Sequence, residues 1–212
     1  ETIAKFGLAD YIANEGHFSS RQIWYLSWPG THILLGIFAK LGPVDYKPIT
    51  SILLSLTHLL FLPPLYLILR NAIGQERSNY CWAGLWLFSL AAWVGMVYPS
   101  PQGIGYSLLF TLLALVMISV IWKNNYQSLK FLSLAVIIFF ALMLNHLLTS
   151  LAALSILAVL CLLKRNKRLA LVLVLCLLLV VSWDFTGGAN YIRHSFSQPL
   201  VSAPAEPGTI LP

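Results

Sequence analysis

The sequence predicts an all-α, polytopic helical membrane protein with about six transmembrane helices and an external juxtamembrane helix. Three observations predict it. Of the 212 residues, 58% are hydrophobic and only 9% are charged, against about 25% charged in soluble domains. Mean hydropathy is +0.80. Several apolar runs approach or exceed the roughly 17–25 residues that cross a bilayer as a helix. This composition excludes a soluble globular domain, a disordered chain and a disulfide scaffold.

The elements follow in order. Residues 1–27 are mixed and polar, and Ile3, Phe6, Leu8 and Ile12 suggest a weakly amphipathic surface helix. Trp28-Pro29-Gly30 leads into the apolar run Ile33 to Leu41, which is too short to span and reads as interfacial or re-entrant. Gly42-Pro43 ends it. Run one is Ile49 to Leu69, with Pro63-Pro64 expected to kink it. Run two is Tyr80 to Val97, and run three is Gly103 to Trp122. Runs four, about Leu129 to Leu144, and five, about Leu147 to Leu163, are nearly continuous. As one helix they would measure on the order of 50 Å, too long for a hydrocarbon core of roughly 30 Å. A hairpin turning between Asn145 and Ser150 is therefore expected, although no Gly or Pro marks it. Run six is Leu169 to Trp183. The organisation reads as an external segment over 1–48, a transmembrane domain over 49–183 and an external polar tail over 184–212. The chain opens at Glu1 with no initiator Met and no signal pattern, so it is expected to be part of a longer protein.

Charge orients the spans. One set of loops carries Arg70, Arg77, Lys123, Lys130 and the bases of Lys164-Arg165-Asn166-Lys167-Arg168; the other carries only Arg193. The first set is expected to be cytoplasmic, and the expected location is the cytoplasmic membrane, with the site facing outside. The net charge of +6 is a topology signal, not one for nucleic acid. Cys81, Cys161 and Cys176 all lie within apolar runs and suggest neither a metal cluster nor a disulfide frame. No cofactor motif is present and no residue is assigned as a metal ligand, so a divalent-metal requirement is left open.

This orientation gathers unusual polar groups at the external face. Each has two readings. Asp10, Glu15 and His17 are either ordinary solvated charges or a general base with its neighbour. Tyr25 and Trp28 are either interfacial anchors or a wall for a sugar or lipid head group. Tyr98-Pro99-Ser100-Pro101-Gln102 is a rigid turn that also presents a helix N-terminus suited to phosphate. Asn145, His146 and Thr149 either cap helix ends or bind substrate, since a His at membrane depth is uncommon. His58, beside Thr57 in run one, reads as a helix–helix hydrogen bond. Asp184 and Arg193-His194 read as an exposed stalk.

The order of these motifs resembles the GT-C class of membrane glycosyltransferases, which includes dolichyl-phosphate-mannose protein mannosyltransferases and microbial relatives. The segment Asp10 to His17, then Tyr25, Trp28-Pro29-Gly30 and Leu41-Gly42, carries the first part. Pro101-Gln102-Gly103 and His146-Leu147-Leu148-Thr149-Ser150 carry the rest, over about residues 3–183. The resemblance implies transfer of a sugar from a polyprenyl-phosphate-linked donor to an acceptor on the external face. It implies an acid in an early external loop, for which Asp10 and Glu15 are the available residues. It implies substrate contacts from His17, Tyr25, Trp28, Gln102, Asn145, His146 and Thr149. The implied partners are a lipid-linked sugar and membrane lipids. The alternatives are a transporter, a polymerase or flippase-type protein, or a non-catalytic subunit handling lipid-linked glycans.

Overall fold

The computed structural model describes residues 11–12, 14–16, 29–41, 46–91, 101–121 and 125–186. Asp10, His17, Tyr25 and Trp28 lie outside them. The described residues form seven α-helices: α1 (Gly30–Leu41), α2 (Tyr46–Ile73), α3 (Ser78–Ala91), α4 (Pro101–Ile121), α5 (Asn125–Asn145), α6 (Leu147–Lys164) and α7 (Lys167–Phe185). A short 3-10 turn, Gln75–Arg77, joins α2 to α3.

Four of these helices are long and apolar enough to cross a membrane: Gln102–Val120, Tyr126–Asn145, Leu147–Lys164 and Lys167–Phe185. They coincide with runs three to six. At 1.5 Å per residue each reaches about 30 Å, the thickness of the hydrocarbon core. Their outward faces are as apolar as their inward ones: Leu148, Leu162, Leu163 and Leu171 stand 70%, 76%, 72% and 59% exposed. Water would penalise such a surface, and lipid would not. Runs one and two fall in α2 and α3, and residues 92–97 of run two lie outside the described residues. At 12 residues, α1 is too short to span. The α-helix of α2 continues through Pro63 and Pro64. Both prolines lack an N–H, so the Leu59 and Leu60 carbonyls lose their usual helical donors there.

Two cores hold the helices together. One joins α4 to α7 through Leu112, Val116, Phe139, Leu142, Leu157 and Cys176. The other joins α2, α3 and α4 through Phe61, Leu65 and Leu85. Phe88 meets Phe61 and Phe110 edge-on at 5.7 and 5.3 Å, so α4 serves both cores. Small residues let the spans approach closely. Ala135 and Ala153 are fully buried, and Ser128 Oγ donates to the Ser119 carbonyl at 3.0 Å, closing α4 onto α5.

Runs four and five form the expected hairpin. Near one end of the bundle, Gly105 of α4 abuts Asn145 and Thr149. Near the other, Val120 of α4 and Lys164 of α6 line one cavity, and Ser119 bonds Ser128 at the start of α5. Hence α5 and α6 run antiparallel. The turn is one residue long. His146 is extended (φ −159°, ψ 114°) and caps α6 with its own ring. A residue in the extended region needs neither glycine nor proline, which explains their absence. The next turn uses Arg165 in the left-handed region, φ 47°. Its N–H returns to the Cys161 carbonyl, while Asn166 caps α7 by accepting from the Arg168 N–H at 2.9 Å.

Candidate functional site

The four spans alternate in direction, so the bundle has two chemically different ends. At one end lie Arg70, Arg77, Lys130 and the 164–168 run. At the other lie the starts of α4 and α6 and the ends of α5 and α7. The start of α1 joins this second, polar end.

The contacts there are specific. Thr31 Oγ1 donates to Asn145 Oδ1 across 114 residues of sequence. Thr31 and His32 are fully buried, as is Ser150, and Asn145 and Thr149 are nearly so. Close backbone approach makes this possible. A Cβ on Gly30 would stand 3.0 Å from the Leu144 carbonyl oxygen, and one on Gly105 3.3 Å from Thr149 Oγ1 and 3.5 Å from Asn145 Nδ2. Glycine at these two positions lets α1 and α4 close on the α5–α6 turn.

His146 organises the turn. The Thr149 backbone N–H donates to His146 Nδ1 at 3.3 Å, and Thr149 Oγ1 lies 2.7 Å from the same nitrogen. An Nδ1 that accepts a backbone N–H carries no proton, so the Thr149 hydroxyl donates as well and the ring proton sits on Nε2. Ser150 Oγ donates to the His146 carbonyl at 3.0 Å. Burial pushes the imidazole pKa below its ordinary 6.5, because the charged form is disfavoured in a poorly solvated site. At neutral pH His146 is thus an uncharged Nε2–H donor held in one orientation.

The remaining predicted residues are placed differently. Gln102 stands at the same end, one helical turn before Gly105, but it is exposed and its Nε2 donates to Tyr106 Oη at 2.9 Å. Glu15 is exposed, next to Gly16. Gly16 has φ +71° and closes a helical turn by donating to the Ile12 carbonyl at 3.0 Å. Asn145, His146 and Thr149 are brought together. The side chain of His58 is outside the description.

Thr31, His32 and Gly105 escaped the sequence reading, and Gly30 and Ser150 entered it only as members of longer motifs. Thr31-His32 directly before the apolar run was the available signal. Asp184 was expected in an exposed stalk. It lies instead in the last turn of α7, half-buried, with Oδ1 shielded and no hydrogen-bond partner among the described residues. The helix continues two residues past the last apolar run, and packing of Trp183 on the core carries Asp184 inward.

The arrangement favours an anion. Three helices, α1, α4 and α6, start at this end, and a helix start carries a partial positive charge. The His146 Nε2–H adds a side-chain donor. Among the described residues, no three His, Cys, Asp or Glu side chains are grouped to hold a metal ion. No protein-family model, curated protein or solved structure matches the chain.

Proposed function

We propose that this chain is part of a GT-C-like membrane glycosyltransferase. It transfers a sugar from a polyprenyl-phosphate-linked donor to an acceptor on the external side of the cytoplasmic membrane. One observation carries the reading: three helix starts and the Asn145-His146-Thr149 turn converge at the end of the bundle opposite Arg70, Arg77, Lys130 and the 164–168 run. A phosphate leaving group develops negative charge as the glycosidic bond breaks, and preoriented N–H donors stabilise such charge. In this reading six spans cross the membrane and the basic end is cytoplasmic. Asp10 or Glu15 takes the acceptor's proton, and Tyr25 and Trp28 line the sugar's path. The half-buried Asp184 is a third acid at the same end.

The test is sugar transfer by the protein in proteoliposomes, with polyprenyl-phosphate-linked sugars as donors. The expected result is turnover that falls at least about tenfold in His146→Asn and in one of Asp10→Asn, Glu15→Gln or Asp184→Asn. Turnover at the wild-type rate in all four variants contradicts the assignment. A second reading is favoured by the uncharged make-up of the cluster, which contains no carboxylate: Thr31, His32, Asn145, His146, Thr149 and Ser150. In that reading the site holds a lipid-linked glycan without cleaving it. The same proteoliposomes distinguish the two, since donor binding without turnover supports the second.

A further inference from the structure

The opposite end of the bundle holds a cavity of about 160 Å³ lined by Asn71, Val116, Met117, Val120, Leu160, Lys164 and Leu169. It lies where α2, α4, α6 and α7 meet. Most of its wall is aliphatic, and the polar members are the half-buried Asn71 and the exposed Lys164. The surrounding charge is one-sided. Arg70, Arg77, Lys130, Arg165, Lys167 and Arg168 lie at the same end of the bundle, and Glu76 is the acid among the described residues of this end. Lys130 is itself held over the Tyr126 ring, 4.3 Å from its centroid.

We propose that this cavity seats one anionic diacyl phospholipid. The first methylenes of an acyl chain lie against Val116, Val120, Leu160 and Leu169, and the phosphate meets Lys164 and Asn71. The volume holds roughly five water-sized groups, which suits a short stretch of chain and not a whole lipid. Apolar walls give water little to bond with, whereas methylenes fill them favourably. Basic residues beside spans attract anionic head groups. Lys164 differs from the other bases because it also lines the cavity. The inference rests on the membrane-spanning character of the helices and not on sugar transfer at the far end.

Native mass spectrometry of the full chain tests it, using phosphatidylglycerol and phosphatidylcholine of identical acyl chains. The expected result is one phosphatidylglycerol retained per chain at roughly a tenth of the concentration that phosphatidylcholine needs. Lys164→Gln, an exposed change that spares the fold, should bring the two lipids within about threefold of each other. Val120→Trp, which fills the cavity and keeps every charge, should also remove retention. The double variant Arg165→Gln, Lys167→Gln removes bases that do not line the cavity and should keep most of the preference. Equal retention of both lipids overturns the proposal. So does a preference that survives Lys164→Gln, one lost equally in the double variant, or displacement of the lipid by excess inorganic phosphate. Polyprenyl-phosphate binding by Lys164→Gln should stay at the wild-type level, so failure here is separable from failure of the transferase reading.

Discussion

Gly30 marks the closest approach of α1 to the end of α5, and replacing it with alanine tests the packing of the polar end. The new Cβ would stand 3.0 Å from the Leu144 carbonyl oxygen and 3.1 Å from both the Leu144 carbonyl carbon and Asn145 Cα. All three are backbone atoms, so no rotamer change relieves the contact. Comfortable separations are roughly 3.5–4.0 Å, so the first turn of α1 must retreat by about 0.5 Å. The adjoining Thr31–Asn145 hydrogen bond then loosens. Overpacking of this kind costs about 1–3 kcal/mol. The loss falls on the docking of α1, because Leu35 with Leu34 and Phe38 forms a small separate cluster. Hydrogen exchange reads it locally. Amides of α1 should exchange roughly 5- to 150-fold faster in Gly30→Ala, while those of α4 to α7 keep their rates. Gly105→Ala is the internal comparison. Its Cβ meets side-chain atoms of Thr149, Asn145 and His146 at 3.3, 3.5 and 3.6 Å, and side chains yield more readily than backbone. It should therefore perturb the polar end less than Gly30→Ala does. Wild-type exchange in Gly30→Ala, or a larger effect from Gly105→Ala, refutes the reasoning.

Other outcomes follow from the same geometry. Thr31→Val keeps the side-chain shape but removes the Thr31 hydroxyl as a donor to the buried Asn145 Oδ1, and should cost about 1–3 kcal/mol in a reversible unfolding titration; no change would mean that the contact is incidental. His146→Ala loses the α6 cap and should destabilise by about 0.5–2 kcal/mol, whereas His146→Asn keeps a capping oxygen and should lose much less; equal losses would mean that the ring does not act as a cap. The folded pKa of His146 lies below 6.5, so the fold binds fewer protons there than the unfolded chain does. Its contribution is whole above about pH 6.5 and is lost as pH falls through the lowered value. Wild type should therefore weaken between pH 7 and 5 more than His146→Asn does, and parallel profiles would contradict this. Arg165→Gly removes side-chain strain at φ 47° and should stabilise the α6–α7 turn by up to about 1 kcal/mol in the same titration; destabilisation would show that the arginine's charge outweighs the strain.

The spans were legible because lipid imposes a requirement that hydropathy reads directly: about 20 apolar residues without charge. Runs three to six became α4 to α7 for that reason. The α5–α6 hairpin was legible from length and charge, although its turn was not, because an extended His capping a helix with its own ring leaves no glycine or proline mark. The polar end was half legible. Asn145, His146 and Thr149 interrupt an apolar stretch and drew attention as polar residues. Thr31 and His32 did not, because their significance depends on a contact with Asn145 more than a hundred residues away. Gly105 has no mark in the sequence beyond its place near the start of run three, and only the closeness of Thr149 explains it. Asp184 looked terminal because the apolar run stops at Trp183, yet the helix carries on beyond it through Phe185.

The central claim is that the polar end binds the phosphate of a polyprenyl lipid, and the binding of polyprenyl monophosphate to the purified protein tests it without knowledge of the sugar. The account predicts saturable binding to wild type, weakened about ten- to hundred-fold in His146→Asn, where the fold and cap persist but the Nε2–H donor is gone. It predicts unchanged binding in Lys164→Gln at the basic end. Absence of binding to wild type, or equal affinity in wild type and His146→Asn, would contradict it.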